Sequence, residues 1–215
     1  MEISFLTDFG STISYLMYIF SNSLLYPVMI LLMLLVLVIL ILTGEYITEY
    51  TRRHRDPVAF EKTLNTLSKV MKEPNGNEKA AEIFRNLDDQ TQTVVSFSKE
   101  VADFVQDKNY TSISRVADDY EVKMVKRTEK TRIITTVGPM LGLMGTLIPL
   151  SPALIGLTTG DIESLATNLV IAFATTVVGL FSAGIAYCLT VVRSRWYWQD
   201  MVDIDYLIDV LEEKK

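Results

Sequence analysis

Three threonines in apolar segments of the chain, Thr146, Thr175 and Thr176, carry hydroxyls that could bind water or a protonatable group away from bulk solvent. A threonine hydroxyl in a helix has two uses. It donates to the carbonyl oxygen three or four residues earlier in its own helix, which is the more frequent arrangement, or it contacts a group from outside that helix. The second use is the less frequent one, but Thr146 and Thr176 are the candidates for it, because each lies on a face of small residues that water or a neighbouring helix can reach.

The two apolar segments that carry these hydroxyls, 133–157 and 165–192, contain no Asp, Glu, Lys, Arg or His. No titratable relay therefore crosses them, and any ion carrier must come from another chain. The chain has one Cys and one His, which excludes an intramolecular disulfide framework and the usual zinc, haem and iron–sulfur sites. We therefore expect no catalytic residue, no metal, no cofactor and no enzymatic activity.

The distribution of charge along the 215 residues predicts a membrane protein. Neither 1–51 nor 133–192 contains a Lys or Arg, and 16 of the 20 basic residues lie between Arg52 and Arg132. Basic residues are concentrated on the cytoplasmic side of membrane proteins, so this pattern predicts a cytoplasmic middle region and an outer N-terminus. The formal net charge of −6 argues against a nucleic-acid partner.

Apolar segment lengths divide the chain further, since a helix needs about 20 apolar residues to cross a bilayer. The TTGDIES sequence separates the second and third spans, with Gly160 and Asp161 marking a turn. The predicted segments, in a cell membrane, are an extracytoplasmic interfacial segment 1–23, span one 24–43, a cytoplasmic helical region 44–132, span two 133–157, an extracytoplasmic turn 158–164, span three 165–192 and a cytoplasmic C-terminal helix 193–215.

Hydrophobic periodicity outside the spans predicts an all-α fold with a cytoplasmic helical bundle. Apolar residues in 57–72 recur at helical spacing, with Pro57 suited to a helix start, and a heptad series runs over 80–105. No helix breaker lies between Ile113 and Gly138, which predicts one long helix that continues from the cytoplasm into span two. Span one is apolar on all sides, which predicts a position facing lipid.

Small residues in spans two and three predict close helix packing, because they let two backbones approach. Gly138 and Gly142 have GxxxG spacing, and a stripe of small residues recurs along span three at steps of three and four. The predicted packing and pore-shaping residues are Gly138, Pro139, Gly142, Gly145, Ala172, Gly179 and Ala183.

The polar groups that flank the spans are expected to have ordinary surface roles. The RRHR sequence around His54 predicts a charge cluster facing lipid headgroups. The aromatic run from Trp196 to Trp198 follows span three and predicts an interfacial aromatic belt. The acidic face of the C-terminal segment predicts a solvated helix surface.

Two motifs resemble those of a known family. GPMLGLMGTLIPL at 138–150 is similar to the AP-x-LGL-x-GT signature of the MotA/TolQ/ExbB proton channel family, and AFATTVVGLFSAGIAY at 172–187 resembles the third helix of that family. The three-span topology resembles the TolQ and ExbB branch, and the prolines of LIPLSPAL resemble archaeal variants. The motifs cover about 60 residues.

The resemblance implies a ring of five copies around a dimer of a single-span partner of the ExbD, TolR or MotB type, whose membrane Asp carries the ion. Thr146 and Thr176 match the family's pore threonines and Pro139 matches its pore proline; with Thr175, these threonines form the predicted ion pathway. Ile171 stands where many relatives have Glu, which leaves the partner's Asp as the carrier. A structural oligomeric scaffold without ion conduction is the alternative. A solute transporter is disfavoured, because three spans without repeats offer little cavity.

Overall fold

The computed structural model describes residues 2–88 and 90–212, and within these ranges the chain is all-α, with no strand. The helices of this part are α1 (Glu2–Ser23), α2 (Leu25–Arg52), α3 (Pro57–Met71), α4 (Gly76–Arg85), α5 (Gln92–Gln106), α6 (Tyr110–Thr159) and α7 (Ile162–Glu212). Three helical stretches are long and apolar enough to cross a membrane: Thr12–Arg52, Tyr110–Thr159 and Ile162–Glu212. The predicted fold class is confirmed.

The chain divides into two compact units. We call Met1–Gly44 with Thr131–Leu189 the apolar unit, and Glu45–Lys130 with Thr190–Lys215 the polar unit. Helices α6 and α7 each contribute residues to both units without a break, which confirms the prediction of long helices that continue into the apolar segments.

The turn between α6 and α7 follows from its sequence. Gly160 has a φ of +78°, a conformation that residues with a Cβ rarely adopt. The next residue caps α7, because a side-chain oxygen of Asp161 accepts a hydrogen bond from the Ser164 amide at 2.9 Å. The turn that the sequence predicts at these two residues is present. Pro139, Pro149 and Pro152 lie inside α6.

Helix α3 begins where the sequence predicts. Asp56 is its N-cap and accepts from the Val58 and Ala59 amides at 2.9 and 3.1 Å, and Pro57 occupies the first turn, where its missing N–H costs nothing. The heptad series over 80–105, in contrast, is divided between α4 and α5. The helix is interrupted after Arg85 by a segment rich in Asn and Asp, whose side chains compete for backbone hydrogen bonds.

The polar unit has an apolar core, built from α3, α4, α5, the N-terminal part of α6 and the C-terminal part of α7. Its largest fully buried side chains are Phe84, Phe97, Leu67, Ile113, Ile204, Leu207 and Leu211. Phe97 packs edge-on against Tyr120, with ring centroids 5.7 Å apart.

Span one has a buried stripe, whereas its sequence, apolar on all sides, predicted a position facing lipid with no preferred packing face. The stripe repeats at steps of four and three along α2 and consists of Val28, Leu32, Leu35, Ile39 and Leu42. The remaining faces of α2 are largely exposed. An all-apolar sequence hides this stripe, because leucine and isoleucine suit lipid and a protein neighbour equally well.

Candidate functional site

Helices α6 and α7 touch backbone to backbone in the apolar unit. A Cβ placed on Gly179 would lie 2.7 Å from the Gly138 carbonyl oxygen and 2.9 Å from the Gly142 Cα. A Cβ on Gly138 would lie 2.9 Å from the Gly179 carbonyl oxygen and 3.1 Å from the Ala183 Cβ. Only glycine permits this approach, so the small residues bring the two helices to the shortest separation that their backbones allow.

The same contact continues toward the α6–α7 turn. A Cβ on Gly145 would lie 2.6 Å from the Cβ of Thr175, and Thr175 itself is buried. Ala172 is also buried, whereas Pro139 is half-buried within α6. The α6–α7 contact thus contains Gly138, Gly142, Gly145, Thr175, Thr176, Gly179 and Ala183.

The three hydroxyls donate to carbonyl oxygens of their own helices. Thr146 Oγ1 donates to the Leu143 carbonyl at 2.7 Å, and Thr175 Oγ1 to the Ala172 carbonyl at 2.9 Å. Thr176 Oγ1 donates to the Ala172 carbonyl at 3.1 Å and lies 3.5 Å from the Gly142 carbonyl of α6. Each hydroxyl proton is therefore engaged, and what remains for another group is the oxygen's capacity to accept.

Thr146 and Thr176 are half-buried in the single chain, so both remain accessible to a group from another helix. Ser182, one to two turns beyond the threonines on α7, is a buried hydroxyl that the sequence did not single out. Its oxygen has no hydrogen-bond partner within the described ranges, 2–88 and 90–212. Its small size made it look like a packing residue, and only its burial distinguishes it.

Two ion pairs with buried carboxylates in the polar unit join the segment after span one to α7. Arg53 donates to both carboxylate oxygens of Asp200, at 2.7 and 3.3 Å, and also to the Trp196 carbonyl at 3.1 Å. Arg55 forms a two-pronged pair with Asp203, with both distances 2.9 Å. Two of the basic residues predicted to face lipid headgroups thus bind carboxylates of the same chain.

These pairs also correct the prediction of a solvated acidic face on the C-terminal helix. The Asp200 and Asp203 side chains are 1% and 4% exposed. Burial raises the pKa of Asp200, while the neighbouring Arg53 and the hydroxyl of Thr91 oppose this rise. The hydrogen bonds and charge of Asp203 raise the pKa of Arg55 above its ordinary value. Each buried carboxylate has a guanidinium within contact distance, which offsets the cost of burying its charge.

A third buried contact lies beside them. Arg193 is buried, with its Nε 3.1 Å from a Glu49 carboxylate oxygen, and Tyr197 donates to the other oxygen at 2.8 Å. Burial is the main cause that raises the pKa of Tyr197 to about 12, and this hydrogen bond is the second. Trp196 stacks on Tyr46 with centroids 5.2 Å apart.

The predicted aromatic belt is therefore corrected in part. Of the run from Trp196 to Trp198, Trp196 is half-buried, Tyr197 is buried and Trp198 is 71% exposed. The position of these residues after span three does not distinguish the buried ones from the exposed one, because the side that each residue faces is set by packing within the polar unit.

The raised tyrosine pKa values predict a loss of stability in alkali. Tyr120 resembles Tyr197: burial and its hydrogen bond to Glu100 at 2.9 Å raise its pKa to about 12. An unfolded tyrosine ionises near pH 10. The stability that the buried, neutral tyrosines contribute is therefore complete below about pH 10 and is lost as the pH rises toward 12. We expect the free energy of unfolding to fall between pH 9 and 11.5 by on the order of 2 kcal/mol more in the wild type than in Y120F/Y197F, measured by chemical denaturation. Equal pH dependence would contradict this. The Tyr206→Phe variant, at an exposed position of the polar unit, is the control.

The comparison with known families decides the identity of the chain. The sequence model of the MotA/TolQ/ExbB proton channel family matches residues 87–202. The chain belongs to this family. Comparison with curated proteins and with solved structures gives no match.

The match to the MotA/TolQ/ExbB family confirms the resemblance read from the motifs, and the matched region contains both of them. It also contains Arg193 and Asp200, whereas Arg53 and Glu49 lie before it. The chain is a membrane protein of a proton channel family. Within the described ranges, 2–88 and 90–212, no group of three or more His, Cys, Asp or Glu side chains could hold a metal ion.

Proposed function

We propose that this chain is the ring-forming subunit of an ion-motive-force-driven membrane motor or proton channel. The observation that carries the proposal is the family match over residues 87–202, which includes the whole close-packed part of α6 and α7. Five copies enclose the helices of a single-span partner of the ExbD, TolR or MotB type, and ion flow is coupled to mechanical work or transport.

The proposed ion pathway uses hydroxyls of the ring and a carboxyl of the partner. Thr146, Thr176 and Thr175 line it, and their oxygens accept hydrogen bonds from the protonated carboxyl or from water. Because spans two and three contain no Asp, Glu, Lys, Arg or His and Ile171 replaces the family Glu, the membrane Asp of the partner carries the ion. Each charge that crosses about 100 mV releases roughly 2.3 kcal/mol, which is available to turn the enclosed dimer.

The proposed orientation places the N-terminus outside and the C-terminus in the cytoplasm of a cell membrane. It is supported by the basic residues, all of which then lie on the cytoplasmic side. The polar unit is cytoplasmic in this arrangement, and the turn at Gly160 is extracytoplasmic.

The number of chains in the purified assembly tests the proposed ring. Native mass spectrometry of the detergent-purified full chain is expected to give five copies, and two further single-span helices when the partner co-purifies. A monomer or an open-ended series of sizes would overturn the ring.

Removing the pore hydroxyls is expected to stop ion flow without disturbing assembly. Thr176→Val and Thr146→Val keep the side-chain shape but delete the acceptor oxygen. Leaving a buried donor without its acceptor costs about 1–3 kcal/mol, so proton flux into proteoliposomes of the co-purified complex should fall by on the order of tenfold.

Thr158→Val is the matched control for these variants. Its hydroxyl also donates within α6, to the Ile155 carbonyl at 2.8 Å, but it lies at the turn. Control flux should stay within twofold of the wild type. Unchanged flux in the Thr146 and Thr176 variants would instead favour the scaffold alternative, in which hydroxyls bonded to their own helices serve only packing.

A further inference from the structure

A cleft of about 560 Å³ opens in the polar unit. Its walls come from α2, α5, α6 and α7, and include Glu45, Lys130 and Arg193. In the sequence these three residues lie within three positions of the predicted spans 24–43, 133–157 and 165–192. In a membrane, residues at this distance from a span lie at headgroup depth.

The cleft has a positive surplus in a chain whose net charge is negative. Five basic and three acidic side chains line it. Two of the basic residues, Arg53 and Arg193, are already paired with Asp200 and Glu49. Within each pair the two charges neutralise one another, and both arginines are less exposed than the other basic residues of the lining.

The other three basic residues are available. Arg52, Arg127 and Lys130 are exposed, and within the described ranges, 2–88 and 90–212, their side chains form no ion pair or hydrogen bond. Glu45 is the one remaining acid in the lining of this part of the chain. Guanidinium and ammonium groups that converge on one cleft suit a phosphate, which accepts several charge-assisted hydrogen bonds at once.

We propose that this cleft binds the phosphate group of an anionic ligand, with Arg52, Arg127 and Lys130 in direct contact and Arg53 and Arg193 behind them. Two ligands carry that chemistry: the headgroup of an anionic membrane lipid and free inorganic phosphate. A volume of about 560 Å³ accommodates either. The proposal does not depend on ion conduction.

Charge removal at matched positions tests the site. The full chain is purified in detergent, and binding of phosphatidylglycerol, phosphatidylcholine and inorganic phosphate is measured separately by native mass spectrometry and by thermal shift. Arg127→Gln with Lys130→Gln removes two charges from the cleft. Arg115→Gln with Lys126→Gln removes two exposed charges from the same helix, outside the cleft.

Basic residues near an anionic lipid surface contribute about 1 kcal/mol each, so the cleft variant should bind at least tenfold more weakly, while the control stays within twofold. Binding of phosphatidylglycerol but not phosphate supports the lipid source, and binding of phosphate supports the free anion. Equal losses in both variants, or no preference over phosphatidylcholine, would overturn the site. So would a change in copy number confined to the cleft variant, since the charges would then face a second copy. The proposed function is tested separately, by measuring proton flux in the Thr146 and Thr176 variants.

Discussion

Replacing Gly179 by alanine is expected to force α6 and α7 apart. The new Cβ would lie 2.7 Å from the Gly138 carbonyl oxygen and 2.9 Å from the Gly142 Cα, distances that the backbone atoms of two helices cannot relieve by a rotamer change. Overpacking typically costs 1–3 kcal/mol, and backbone contact places this variant at about 2 kcal/mol or more. We expect this loss in SDS-induced unfolding of the purified chain, together with a loss of assembled rings.

Gly184→Ala provides the comparison for this variant. Gly184 lies on the same helix, and a Cβ there has nothing within 4 Å. Alanine favours a helix by up to about 1 kcal/mol relative to glycine, so this variant should be neutral or slightly more stable. If Gly179→Ala and Gly184→Ala had the same stability, the backbone contact would not limit the packing of these helices.

Removing the carboxylate of Asp200 is expected to have the largest effect in the polar unit. Asp200→Ala leaves the Arg53 side chain, 14% exposed, without its counter-charge. Breaking a buried pair costs about 3–5 kcal/mol, because the remaining charge is desolvated and unpaired. Trp196, whose carbonyl accepts from Arg53 and whose ring lies 5.2 Å from its guanidinium carbon, reports the change by fluorescence during chemical denaturation.

An exposed ion pair with a similar distance between its charged atoms shows how much of the stability loss is due to burial rather than to charge. Arg85 and Asp103 approach to 2.6 Å, but their side chains are 50% and 80% exposed. Asp103→Ala should therefore cost less than about 1 kcal/mol. The double variant Arg53→Met with Asp200→Leu should recover most of the stability lost in Asp200→Ala, since an apolar pair has no charge to leave unpaired. Equal losses in Asp200→Ala and Asp103→Ala would contradict the role of burial.

Several features of this protein follow from the amino-acid sequence alone. The basic residues are absent from 1–51 and 133–192, and an apolar segment without charge has few alternatives to a spanning helix. The glycines and alanines of 138–150 and 172–187 identified both the family and the residues that lie along the α6–α7 contact. Patterns of this kind are local and repeat at helical spacing, so they can be read without knowing the fold.

The tertiary structure alone decided what the charged and aromatic residues do. Arg53 and Asp200 are separated by 147 positions, and each looks like an ordinary surface charge until the fold removes both from water. The same holds for Tyr197 and for the buried stripe of α2. Periodicity can show which residues share a face, but the partner of that face depends on contacts between distant segments, and the sequence contains no local signal for those contacts.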